Sequence, residues 1–159
     1  MSNAVLDVTA HGLDEAILAI EGIADAPRLE LMEGIGRLVQ EQTRRRIEEE
    51  KTAPDGSAWK PNHAGTSILY QSGALSASID YRATETTSLV GTGLIYARIH
   101  QDGGVITPKN ADALAFQIGN KFVMTSRVTM PRRQYLGLSA DNQRDIVEAA
   151  EDWVGRLLQ

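Results

Sequence analysis

VGTGLIYARIHQDGGVI, from Val90 to Ile106, decides how this chain is read, because its periodicity changes twice within one short stretch. Gly91 and Gly93 bracket Thr92 at the end of an apolar run, and Leu94, Ile95 and Ile99 then fall at helical spacing. Gly103 and Gly104 close the segment before Val105 and Ile106 resume. The pattern predicts a strand ending near Thr92, a short helix from Tyr96 to Gln101 and a Gly-Gly turn back into extended chain. Tyr96 and His100 stand one turn apart on the same face of that helix.

Upstream, Ile79, Tyr81 and Ala83 alternate with Asp80, Arg82 and Thr84, the period of a half-buried strand. Thr84 to Ser88 reads as a hairpin loop and Leu89 to Thr92 as the returning strand. Before it, SILYQSGALSASI (Ser67 to Ile79) has Ser72 and Gly73 at a helix start, with Leu75 and Ile79 following. Downstream, an irregular loop runs through Asn110 and Asp112. Leu114, Phe116 and Ile118 then alternate, as do Phe122, Met124, Val128 and Met130 around Ser126. A three-residue loop, Gly119 to Lys121, would pair Ile118 with Phe122 and Phe116 with Met124, placing like with like, and that register is expected.

Three helices are expected around these strands. After a first strand at Val5, Leu6 and Val8, the residues Leu13, Ile17 and Ile20 mark a helix that frays by Asp25, before Pro27. A longer one runs from Arg28 to Glu50, with Leu29, Met32, Ile35, Val39 and Ile47 on its apolar face. Gly34 and Gly36 inside it each cost about 1 kcal/mol of helix propensity, so both are expected to serve close packing. TRRRIEEEK (Thr43 to Lys51) sets Arg44, Arg45 and Arg46 four residues before Glu48, Glu49 and Glu50, which reads as a solvated, self-neutralised face. Ser139 caps a last helix striped by Ile146, Ala150, Trp153, Val154 and Leu157. Hairpins instead of strand-helix-strand crossovers give an α+β class: an antiparallel sheet of hairpins packed against two or three long helices, including a C-terminal helix. Residues 1–159 read as one domain with a long irregular loop at about 52–66.

Composition removes several chemistries. Cysteine is absent, which excludes disulfides, thiolate zinc sites and cysteine nucleophiles together. Aromatics make up 5% against 42% hydrophobic residues, so the core is expected to be aliphatic. A formal charge of -5 argues against broad phosphate-backbone binding. The opening MSNAVLDVTAHG has no basic stretch followed by an apolar run, and no segment approaches the roughly 20 apolar residues of a membrane span, so a soluble chain without a secretion address is expected. His11, His63 and His100 are far apart, and none has a partner at the spacing of a helical metal site. Ser72 in QSGA lacks the first glycine of a nucleophile elbow, and the glycines near Thr92 lack the spacing of a phosphate loop. No catalytic residue, cofactor or metal is therefore assigned.

Two motifs stay open between architecture and recognition. In PDGSAWKP (Pro54 to Pro61), Trp59 either caps the core or anchors a partner. In MPRRQYLGLS (Met130 to Ser139), Arg132 and Arg133 are either solvated, with Tyr135, Leu136 and Leu138 pinning the helix, or meet carboxylates of a neighbouring subunit. Competing functional classes are a small hydrolase centred on His100 with Tyr96 or Asp102, and a nucleic-acid-binding module using Arg44 to Arg46 or Arg132 and Arg133.

Taken in order, PDGSAWKP, LYQSGALSASI, VGTGLIYARIHQDGG and MPRRQYLGLS with the amphipathic C-terminal helix resemble the virion morphogenesis proteins of Mu-like phages and prophages, grouped with tail completion proteins. The chain departs from that family's pattern at Asp102, where the family has an aromatic residue before the Gly-Gly pair, and at Gln134 and Tyr135, where the family has a second proline and a phenylalanine. The resemblance implies a non-enzymatic structural protein, the product of a late gene, acting in tail completion and head-to-tail joining. It implies a homo-oligomeric ring of about six copies, contacts with tail and connector proteins, and a place in the host cytoplasm during assembly and in the virion tail or neck. The partner-facing candidates it carries over are Trp59, Tyr96, His100, Arg132, Arg133 and Tyr135. An acidic balance would let DNA pass through a ring lumen without being gripped, with no sequence-specific binding.

Overall fold

The computed structural model describes residues 4–7 and 27–157. Its first strand, β1 (Ala4–Asp7), is followed by helix α1 (Arg28–Arg45), which continues as a π-helical turn through Arg46–Glu50. Short helix α2 (Ala74–Ala77) leads into β2 (Asp80–Ala83) and β3 (Ser88–Thr92), and helix α3 is Ala97–Asp102. Then come β4 (Gly104–Ile106), β5 (Leu114–Ile118), β6 (Lys121–Thr125), β7 (Val128–Met130) and the C-terminal helix α4 (Ala140–Leu157). The architecture is α+β with antiparallel pairing throughout the described strands. The helix expected at Leu13, Ile17 and Ile20 lies outside the described residues, as does Val8 of the first strand.

β3 is the centre of a three-stranded sheet in the order β1-β3-β2, with Tyr81 opposite Val90 and Leu6 opposite the same residue on the other side. The alternation read from Ile79 onward is realised: Tyr81 and Ala83 turn inward while Asp80 and Arg82 face water. α1 lies across β2 and β3 and also packs on α4. Met32, Ile35, Val39 and Ile47 enter a core shared with Ile79, Val90, Ile146, Ala150 and Trp153. Each such aliphatic side chain, fully buried, contributes about 1.5–3 kcal/mol. Two expected members stay outside: Leu29 is 44% exposed and Leu157 is 37% exposed, because each sits at the end of its helix, beyond the neighbour it would pack on.

The two helical glycines divide. A Cβ on Gly36 would stand 2.4 Å from Cδ2 of Tyr81 and 2.7 Å from Oγ of Ser88, so this glycine lets the helix approach the β2-β3 hairpin. A Cβ on Gly34 would meet nothing within 4 Å, and the packing role expected for it is not found.

The downstream strands differ from the expected register. β5 and β6 pair Ile118 with Lys121, Phe116 with Val123 and Ala115 with Met124, joined by a two-residue turn at Gly119 and Asn120. Gly119 takes φ +56°, a left-handed conformation that glycine adopts without the Cβ penalty and that makes the tighter turn available. One residue of slip inverts the faces. Leu114, Phe116 and Val123 are half-buried, whereas Phe122 and Met124 stand 70% and 67% exposed. The run through Val128 and Met130 does not continue this pair either; it turns at residues 126–127, and β7 pairs with β4, aligning Val105 with Thr129.

Candidate partner-binding site

Local sequence explains why the quoted motifs converge. Thr92 ends β3, and its Oγ1 accepts from the Leu94 amide at 3.2 Å. The chain coils through α3 and is turned by Gly103 at φ +70°. A Cβ there would lie 2.8 Å from the Arg132 amide and 3.0 Å from the Met130 carbonyl, so only glycine lets the turn sit against the elbow that follows β7. The Arg133 amide donates to the His100 carbonyl at 2.8 Å, closing that junction.

The elbow from Arg132 to Ser139 is a hub. The Gln101 side chain accepts from the amides of Tyr135 and Leu136, both at 3.0 Å, and donates to the Leu136 carbonyl at 3.1 Å. The Tyr135 hydroxyl donates to the Ala97 carbonyl at 3.2 Å. Burial first, with the charge of Asp102 second, pushes that hydroxyl well above the usual tyrosine range, so it remains a proton donor. Trp59 donates its indole N–H to the Gln134 carbonyl at 3.1 Å. Arg133 donates from Nε to the Lys60 carbonyl at 2.8 Å and from Nη2 to the Pro61 carbonyl at 3.1 Å, which fastens the 52–66 loop.

From the other side comes Arg46. Its Nη1 donates to the carbonyls of Tyr135 and Gly137, at 3.2 and 2.8 Å, and its Nη2 to Asn142 Oδ1 at 2.6 Å. Asn142 in turn exchanges bonds with Ser139, accepting from the Ser139 amide and donating its own amide to Ser139 Oγ, the cap expected for α4. The triple arginine is therefore not the uniformly solvated face the charge pattern suggested. Arg45 is exposed and pairs with Glu50 at 2.9 Å, a five-residue spacing set by the π turn, and Arg44 pairs with Glu41 at 3.1 Å, but Arg46 is buried. Nothing in the linear pattern distinguished it, because burial depends on which residue of the run faces the elbow.

Of the six candidate residues, the chain's own interior takes Trp59, Arg133 and Tyr135, while Tyr96, His100 and Arg132 remain at or near the surface. Arg133 is only 5% exposed and so is not the solvated cation of the first reading. The rings of Tyr96 and His100 meet edge-on with centroids 6.1 Å apart. His100 is half-buried, its Nδ1 is enclosed without a hydrogen-bond partner among the described residues, and burial followed by the charge of Arg133 lowers its pKa. Asp102 faces Arg98 at 3.4 Å in an exposed pair instead of orienting the imidazole. Among the described residues no group of three or more His, Cys, Asp or Glu could hold a metal ion, and no helix is long and apolar enough to cross a membrane.

A groove of about 500 Å³ opens beside this junction. One wall is the 61–75 segment, which contains LYQSGAL; the others come from Tyr96 and His100, from β5 and from β7, with Arg133 at the base of the loop. The four motifs thus meet at one place, with Gln101 and Arg46 as tying residues that the sequence did not single out.

The structure is thus an α+β fold that spends Arg46, Arg133, the Trp59 indole and the Tyr135 phenol on internal ties and keeps an open groove beside them. The model of the Phage virion morphogenesis family matches residues 12–155, and the chain belongs to that family. No curated protein and no solved structure gives a significant match. Membership establishes a role in phage virion morphogenesis and points to a structural over a catalytic one.

Proposed function

We propose that the chain is a structural subunit that completes the phage tail and joins it to the head, assembled as a homo-oligomeric ring of about six copies. It works in the host cytoplasm during assembly and remains at the tail or neck, contacting tail and connector proteins. The observation that carries this reading is the family match over nearly the whole chain. Strands β4 and β6 are in keeping with it, since Val105, Phe122 and Met124 are exposed apolar side chains that a neighbouring subunit would cover. Two tests apply. Native mass and imaging of the purified chain should give a ring, and adding it to heads and tails produced without it should restore joined particles. Unjoined heads and tails after addition would refute the joining role; a strict monomer in joined particles would refute the ring. Replacing His100 with Gln addresses the hydrolase alternative: joining should persist in H100Q.

A further inference from the structure

The groove has an unusual electrostatic make-up. Among the described residues that line it none is acidic, two are histidines, and the one full cation is Arg133. No carboxylate among the described residues comes within 4 Å of that guanidinium; its bonds go to two neutral carbonyls. A guanidinium nearly removed from water is ordinarily matched by an anion, because desolvation is costly and carbonyl dipoles offset only part of it. Arg46, the other buried arginine, has Glu50 at 3.9 Å; Arg133 has no such neighbour.

The walls describe what would bring the anion. Three consecutive residues of β5, Phe116 to Ile118, and three consecutive residues of β7, Val128 to Met130, face the groove. A strand seen broadside shows every second residue, whereas consecutive residues mean the groove meets the strand's edge. Among the described residues each of these strands has a single partner, β6 and β4 respectively, so each keeps one unpaired edge of backbone donors and acceptors there. Nucleic acid would need several cations along its path, and the groove offers one.

We infer that the groove receives an extended, carboxylate-bearing segment of another polypeptide, its acid pairing with Arg133 and its backbone running along the unpaired edges of β5 and β7. This deepens the proposed function and rests on it for the source of the segment, a neighbouring subunit of the assembly. Strand addition supplies affinity through main-chain bonds, and the buried cation supplies selectivity for an acid.

The test uses the full chain and an array of blocked hexapeptides of alternating Thr and Val, each with one Asp or Glu, and each with its Asn or Gln twin. Acidic members should bind about tenfold or more tightly than their amide twins. That preference should vanish in Arg133→Gln, with far-UV circular dichroism checking the fold. Tyr96→Glu, at a rim residue that is already 41% exposed, should weaken acidic members selectively without disturbing the core. Equal binding of acid and amide twins, binding by none, or a preference that survives both substitutions would overturn the inference. Peptide binding reads the groove alone and ring formation reads the assembly, so failure of one is distinguishable from failure of the other.

Discussion

Gly34 and Gly36 are two residues apart in the same helix, and substituting each by alanine should move stability in opposite directions. In a helix interior alanine is favoured over glycine by about 1 kcal/mol. At Gly34 nothing stands within 4 Å of the added methyl, so Gly34→Ala should stabilise the chain by nearly that amount. At Gly36 the methyl would lie 2.4 and 2.9 Å from Cδ2 and Cγ of Tyr81 and 2.7 Å from Ser88 Oγ. These atoms are close to the backbone of a paired hairpin, in which Tyr81 is fixed opposite Val90 and Ala83 opposite Ser88. Yielding requires α1 to lift from the sheet. Overpacking of this kind costs about 1–3 kcal/mol, which cancels or exceeds the propensity gain and leaves a net change of about 0–2 kcal/mol in the unfavourable direction. The two variants should therefore differ by about 1–3 kcal/mol, and in a chain of this size each kcal/mol moves the thermal midpoint by about 2–4 °C. Urea titrations followed by the fluorescence of the buried Trp59 and Trp153 would measure it. Equal stabilisation by both alanines would refute the close approach of α1 to the hairpin.

Other expectations follow from the buried ties and the register. Arg46→Ala leaves the carbonyls of Tyr135 and Gly137 and the Asn142 side chain without their donor, and should cost about 3 kcal/mol or more in urea denaturation, far beyond the few tenths of a surface helix pair. Trp59→Phe retains a ring but loses the bond to Gln134, so it should cost about 1 kcal/mol, against about 3–5 for Trp59→Ala. Phe122→Asp should stay within about 0.5 kcal/mol of the parent because the ring is in water, while Phe116→Asp should be clearly destabilising; comparable destabilisation by both would restore the three-residue turn, which puts the two rings on one face. His100 is held below its ordinary 6.5 by burial and by Arg133, so the unfolded chain takes up this proton first as pH falls. Its contribution to stability is complete above about 6.5 and is lost as pH drops through the lowered folded value, and His100→Gln should flatten that part of a stability-pH profile measured by urea midpoint.

Much of the fold was legible because local signals and tertiary contacts agreed. The period-two run at Ile79 and the polar loop after Ala83 specified the β2-β3 hairpin, and Val90 to Ile106 resolved into strand, helix and Gly-Gly turn at nearly the expected boundaries. The β5-β6 register departs from the pairing of like with like because turn chemistry outweighs it. Gly119 and Asn120 admit a two-residue turn, and a hairpin that leaves Phe122 and Met124 in water gives no internal reward for pairing like with like. Arg46 does not stand out from its neighbours, and Arg133 stays open between solvent and a partner, for a related reason: composition shows a run of cations, but only the packing of the elbow against α1 and the 52–66 loop selects which one is enclosed. Gln101 carried no signal, since one amide among polar neighbours announces nothing until two backbone amides and a carbonyl are brought to it.

The elbow bears on how a subunit of this kind presents a binding surface. Trp59, Arg133 and Gln101 tie the 52–66 loop and α3 to the same stretch of backbone, so neither wall of the groove can move without stretching a bond to residues 133–136. Ordering a long loop within the monomer removes an entropy cost that would otherwise fall on association, and a preformed groove keeps more of its contact energy as affinity. Trp59 and Gln101 thus serve the groove indirectly, through the backbone they hold, whereas Arg133 both ties the loop and lines the groove. They hold Tyr96 and His100 beside the edges that β5 and β7 leave unpaired among the described residues, the edges to which the inferred segment would add.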